Sequence, residues 1–193
     1  MGSGKPNDED AVDKVYEELV ARSNEFYDDG RYEQALETYE DASRVDSKQG
    51  LAWYMKGMSL FKMEKYDEAL LAFDMAAKLD SGLTDPLLGK AYVYIKLFRF
   101  EDAIRQLKSM FAMEITAETA CLVGLCYVLL DREDDAAKWF RRAVEKHREF
   151  TLSFFDEMYT GLILRDSNIT LDEKVAVKAA IDKLKKKVAS SKD

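Results

Sequence analysis

The chain is predicted to be all-α, a solenoid of stacked helix-turn-helix pairs, and three observations predict it. Apolar residues recur at three- and four-residue spacing over most of the sequence, which is the signature of amphipathic helices. Only Pro6 and Pro86 interrupt the backbone, so long helices are not broken. The third observation is self-similarity. "YEQALETYEDA" at 32–42 aligns with "YDEALLAFDMA" at 66–76, and Tyr32 and Tyr66, Ala35 and Ala69, Tyr39 and Phe73, and Ala42 and Ala76 each stand 34 apart. A period of that length marks an array of helix pairs.

The elements are laid out in order by that step. Residues 1–12 are expected to be a flexible N-terminus, with "MGSG" set aside as a remnant of cloning. The first pair covers about 16–49, with the small Ser23 in its first helix, and the second covers 50–83, with Gly57 34 residues further on. A glycine inside a helix costs about 1 kcal/mol relative to alanine. Packing accounts for it: Gly57 is expected to face Ala69, so that two antiparallel helices approach more closely than larger side chains allow. The third pair, 84–116, carries Ala91, Phe100, Ala103, Leu107 and Met110 at the same step. The fourth, 117–150, carries Gly124, Ala136, Phe140 and Ala143, displaced by 33, so one residue is lost from the turn after Met110. Residues 151–188 read as a degenerate fifth pair that caps the array. Its first helix is expected within 152–164, and its second starts at "TLDE" from Thr170, a capping box, with Val177, Ile181 and Leu184 at the stacking spacing. Residues 189–193 are expected to be a flexible tail.

The second pair resembles the tetratricopeptide repeat (TPR) family: Trp53, Gly57, Tyr66, Ala69, Phe73 and Ala76 stand where that pattern has tryptophan, glycine, tyrosine, alanine, phenylalanine and alanine. The resemblance spans roughly 16–150, with departures at Ser47, Ser81, Met110 and Glu133. It implies a right-handed superhelix whose first helices line a concave groove where peptides bind. Carried over, the groove residues are Asn24, Tyr54, Met55, Met58, Phe61, Leu88, Tyr92, Ile95, Leu122 and Leu125, with Val20, Ala21, Tyr27, Gly89, Cys121 and Val128 beside them. The family's carboxylate clamp for chaperone tails falls on Val20, Asn24, Met55, Asp85 and Gly89, of which only Asn24 fits, so that partner class is not expected.

A surface this apolar needs a cover. The reading favoured is a non-enzymatic protein-interaction module that holds a partner's peptide or helix by apolar anchors, with Asn24 holding its backbone. The alternatives are a self-assembling homodimer or the chain's own terminal helix filling the groove, a secretion-type chaperone shielding an apolar client segment, and groove positions that are ordinary core.

Composition narrows the rest. The chain is 47% hydrophobic and 34% charged with a formal net charge of −8, which opposes phosphate backbones, so no nucleic acid partner is expected. No apolar run reaches a membrane span and the N-terminus is polar and acidic, so stable membrane insertion is not expected and a cytoplasmic location is. The lysine-rich "KLKKKVASSKD" is read as the wet outer face of a last helix rather than a membrane-binding one. Cys121 and Cys126, five apart, have neither metal nor redox spacing and read as free thiols. The lone His147 reads as a solvated helix residue, and the pairs Asp28-Asp29 and Asp134-Asp135 as acids capping helix N-termini. With no phosphate-binding glycine motif, no catalytic residue, cofactor or metal is assigned.

Overall fold

The computed structural model describes residues 8–82, 84–110, 115–158, 160 and 170–189. Among these, all regular structure is helical: α1 (Asp8–Asp28), α2 (Tyr32–Val45), α3 (Gly50–Lys62), α4 (Tyr66–Leu79), α5 (Asp85–Lys96), α6 (Phe100–Ser109), α7 (Ala117–Leu129), α8 (Glu133–Met158) and α9 (Leu171–Ala189). α1 begins inside the stretch expected to be flexible, because Val12, Val15 and Leu19 continue the helical period toward the N-terminus. The chain divides into two compact units, Met1–Leu97 and Phe98–Asp193.

Each pair turns through one left-handed residue. Gly30 (φ 74°), Glu64 (φ 60°), Phe98 (φ 57°) and Asp131 (φ 56°) occupy the same place in successive repeats. The next residue's N–H reaches back five residues to close the preceding helix: Arg31 to the Phe26 carbonyl at 2.8 Å, Lys65 to Leu60 at 2.9 Å and Arg132 to Tyr127 at 2.8 Å. This is the Schellman closure, which favours glycine at the left-handed position. Glu64 is exposed and carries the steric cost of a Cβ there, on the order of 1–2 kcal/mol. Glu64→Gly is therefore expected to stabilise the protein by about 0.5–1 kcal/mol, the gain being partly offset by glycine's greater chain entropy. A thermal midpoint at or below that of the parent would defeat this account.

In the first unit the centre is Phe73, fully buried on α4. A Cβ on Gly57 of α3 would lie 2.6 Å from its ring and one on Gly89 of α5 2.7 Å. The nearest neighbour of Gly57 is thus the Phe73 ring, in place of the expected Ala69: the glycine makes room for an aromatic ring held between two successive first helices. Tyr39 is the counterpart one repeat earlier, equally buried, and its hydroxyl donates to Asn24 Oδ1. Desolvation raises the Tyr39 phenol well above its ordinary range. Two ion pairs join neighbouring repeats at equivalent places, Lys56 to Glu40 at 2.8 Å and Lys90 to Asp74.

The second unit repeats the plan with different side chains. Phe140 sits 2.9 Å from where a Cβ on Gly124 would be, and its other neighbour is the Phe155 ring, 4.5 Å away between centroids. α8 is continuous only in outline. His147 is extended (φ −158°, ψ 98°), and its Nδ1 accepts from the Phe150 N–H at 3.1 Å. His147 is exposed as expected, but it breaks the helix and caps the N-terminus of the second half. Thr116 caps α7 in a reciprocal capping box with Thr119.

Of the acids expected at helix N-termini, Asp134 and Asp135 stand in the first turn of α8, whereas Asp28 ends α1 and Asp29 lies 3.8 Å from Arg31, the N-cap residue of α2, without capping it. Asp135 accepts from Arg132 and Lys138 at 2.7 and 3.1 Å, and these bonds hold its carboxyl below the usual range.

α9 packs on α8 and reaches α7. Its Ile181 is fully buried and Val177 half-buried, as the stacking spacing predicts. The Leu184 and Glu173 side chains lie outside the described residues, as do 161–164 of the expected first helix and 1–7 and 190–193 of the expected flexible ends. Lys183, Lys186 and Lys187 are exposed, as expected, and three lysines also form surface ion pairs: Lys183 meets Glu133 and Lys185 meets Asp156, each at 2.7 Å, and Lys187 lies 3.9 Å from Asp134. These contacts bring the C-terminal half of α9 near Asp156 and the start of α8.

Candidate partner-binding face

The first helices of the first unit, α1, α3 and α5, carry the residues the sequence singles out. Tyr54, Met58 and Phe61 are half-buried, with their inner surfaces packed on the Leu60, Ala69, Ala72, Phe73 and Val93 cluster. The Tyr54 ring tilts against Phe73 at 6.0 Å, and Phe61 against Tyr66 at 5.9 Å. One repeat later Leu88 and Tyr92 are half-buried as well, whereas Ile95 is 6% exposed and Gly89 is closed off by the Phe73 ring. Met55 is half-buried. Such residues cost little further ordering to present, because the core already fixes their rotamers.

Asn24 departs from expectation. Its carboxamide oxygen is committed to the Tyr39 hydroxyl, so the group expected to hold a partner's backbone is used inside the fold. Near it Tyr27 stacks edge-on to Tyr32 at 5.4 Å. Burial, with Tyr32, Tyr54 and Asp28 nearby, pushes the Tyr27 phenol up to about 12, so it stays a neutral donor throughout the physiological range. Next to these residues, α1 and the start of α3 enclose a cleft of about 470 Å³ lined by Asp13, Tyr16, Glu17, Val20, Asn24 and Leu51, among others.

The fourth-repeat positions lie in the second unit and differ in kind. Leu122, Leu125 and Cys121 are fully buried, although their counterparts Met55, Met58 and Tyr54 are half-exposed. As the chain folds, they offer no surface. Burial pushes both thiols, Cys121 and Cys126, up to about 12, which leaves them protonated and unreactive near neutrality.

Sequence reasoning missed the inter-repeat ion pairs, although a signal was there. Lys56 and Lys90 are 34 apart, and each comes 16 residues after its acid, Glu40 or Asp74. Lys56 also lies 5.1 Å over the Trp53 ring. Among the described residues no cluster of His, Cys, Asp and Glu is placed to hold a metal, and no helix is long and apolar enough to cross a membrane.

Residues 20–83 match the family model described as tetratricopeptide repeat. A TPR repeat-containing protein of Methanocaldococcus jannaschii is 26% identical over 130 residues, a match that takes in 67% of this chain but only 23% of that protein. The chain therefore spans under a quarter of that relative's length. Among solved structures, a MamA protein of Desulfovibrio magneticus RS-1 superimposes with a TM-score of 0.65 at 19% identity, over 94% of this chain and 97% of that one. YrrB, described as a TPR protein with an unusual peptide-binding site, does so with 0.60 at 21% identity, over 91% and 98%. At these identities the structural likeness concerns the fold.

Proposed function

We propose that the chain is a tetratricopeptide-repeat protein-interaction module, as its match to that family's model over residues 20–83 and its fold support, and that the face formed by α1, α3 and α5 binds an apolar peptide or helix of a partner without catalysing a reaction. The observation that carries the reading is a set of large side chains at two repeat registers, Tyr54 with Leu88 and Met58 with Tyr92, each half-buried. Anchors fixed from behind and open in front are what an extended or helical segment can dock on, and the methionines let the surface adapt. Phe61 and Met55 widen this surface and Ile95 forms its floor. Asn24 contributes through Tyr39 rather than directly.

The test is selection of a displayed peptide library on the parent, with the enriched peptides then retested on Tyr92→Asp. A charge on a partly desolvated anchor is expected to weaken binding at least about 100-fold, as loss of a hot-spot residue does, with helicity unchanged. Equal binding to the variant sinks the reading. Light scattering over a hundredfold concentration range checks the remaining occupant: a stable dimer in place of the expected monomer would assign the face to a second copy.

A further inference from the structure

The net charge of −8 is not spread evenly along the chain. Residues 1–97 hold 20 acidic and 12 basic residues and so carry all of it, whereas residues 98–193 are balanced at 17 of each. Within the first unit the excess gathers on α1, whose eight acids and two bases leave it at −6. Both bases are engaged elsewhere on the helix: Lys14 lies 3.9 Å from Glu18, and the Arg22 guanidinium sits 5.4 Å from the centre of the Phe26 ring. Lys56 and Lys90, on α3 and α5, are neutralised by Glu40 and Asp74.

The cleft between α1 and the start of α3 joins this charge to apolar surface. Asp13 and Glu17, one turn apart on α1, both line it, both are exposed, and neither has an ion pair among the described residues. No basic residue lines the cleft with them; Val20 does, and so does Leu51, which is 46% exposed. Tyr16, 8% exposed, is also in the wall, and its hydroxyl lies near the Ala52 N–H without a hydrogen bond of ordinary geometry. Gln49, the N-cap residue of α3, makes no side-chain cap bond either. Polar groups buried in a site that is complete as it stands are usually paired.

We infer that the segment docking on the α1–α3–α5 face is cationic as well as apolar: a lysine or arginine of the partner enters the α1–α3 cleft at Asp13 and Glu17, and its apolar neighbours lie on Leu51, Tyr54 and Met58. The side chain of such a residue suits the cleft twice, its methylenes covering Val20 and Leu51 while its charged head meets the carboxylates. An anionic occupant, whether nucleic acid, acidic peptide or anionic lipid surface, meets like charge on α1 and is repelled. This inference rests on the reading of that face proposed above.

The experiment uses the full chain and, as probes, the peptides that the displayed library enriches on the parent. They are expected to carry lysine or arginine beside their apolar residues, and to lose about tenfold or more in affinity between about 50 and 500 mM salt, a range over which exposed charges are screened. Asp13→Asn with Glu17→Gln, which preserves side-chain size, is expected to weaken the same peptides by about tenfold, as loss of electrostatic complementarity does. Replacing the peptide's basic residue by a neutral analogue, citrulline or acetyl-lysine, is expected to weaken binding to the parent but not to that variant. Enrichment of neutral or acidic peptides, or equal affinity for parent and variant, would overturn the proposal. Should the variant lose the parent's helical circular dichroism, the neutral-analogue peptide and the salt series on the parent decide, and unchanged affinity overturns the proposal equally. Binding lost with Tyr92→Asp but untouched by the α1 variant sinks this inference alone. Binding indifferent to Tyr92→Asp, no enriched peptide at all, or a stable dimer of the parent sinks the reading beneath it as well.

Discussion

Replacing Phe73 by alanine is expected to lower stability by about 3–5 kcal/mol, the usual cost of emptying a buried aromatic site. The ring is fully buried and touches first helices of two successive repeats, because both Gly57 and Gly89 leave it room. Neither helix can close the void without moving its backbone, so the loss should fall at the upper end of that range. The same geometry makes a sharper test. In the parent, Gly57→Ala is expected to cost about 1–3 kcal/mol by overpacking, since its Cβ would press on a ring that is itself confined. In the Phe73→Ala background that cost should vanish, as alanine's methyl enters vacated space. Urea midpoints of the four proteins measure the coupling, and additive losses would show that the glycine is there for some other contact.

Alkaline pH is expected to have the second large effect. Desolvation raises Cys121 and Cys126 from an ordinary 9.0 to about 12, with the Thr151 hydrogen bond pulling Cys121 partway back. Below pH 9 the thiols are protonated in folded and unfolded chains alike, and the shift costs nothing. Between 9 and 12 the unfolded chain releases these protons and the folded one does not, so stability falls as pH rises, by about 1.4 kcal/mol per pH unit for each thiol. By about pH 11 the pair removes on the order of 5 kcal/mol, a large share of the stability a domain of this size commonly has. Urea midpoints should therefore drop steeply above pH 9 in the parent and less steeply with Cys121→Ala and Cys126→Ala together. Parallel curves would place the alkaline loss elsewhere, for example on Tyr27 and Tyr39, which burial also raises.

The repeat plan is legible in the sequence because it rests on spacing. Tyr39, Phe73 and Phe140 are all found at the predicted step and all fully buried. Spacing names a face, however, and not what covers it. It pairs Gly57 with the nearest small residue in the pattern, Ala69, although a glycine can equally admit a large ring. Leu122 and Leu125 have the same periodic credentials as Met55 and Met58, yet the leucines are fully buried and the methionines half-buried. The left-handed turns are silent for a related reason: Glu64, Phe98 and Asp131 adopt a glycine-like conformation that their side chains do not advertise. His147 is solvated, as its charged neighbours predict, yet its nitrogen closes a helix end that no cap signature announces.

The site held by glycine in one joint and by an aromatic ring in another also bears on how such a chain can change length. Phe73 meets Gly89, sixteen residues further on, whereas Phe140 meets Phe155, fifteen residues further on. Copying residues 50–83 in tandem would set Met55 where Gly89 now lies, against a ring already in close contact. The repeats share a blueprint without being interchangeable parts, so growth or shortening of the array by whole units requires a compensating change at the new seam.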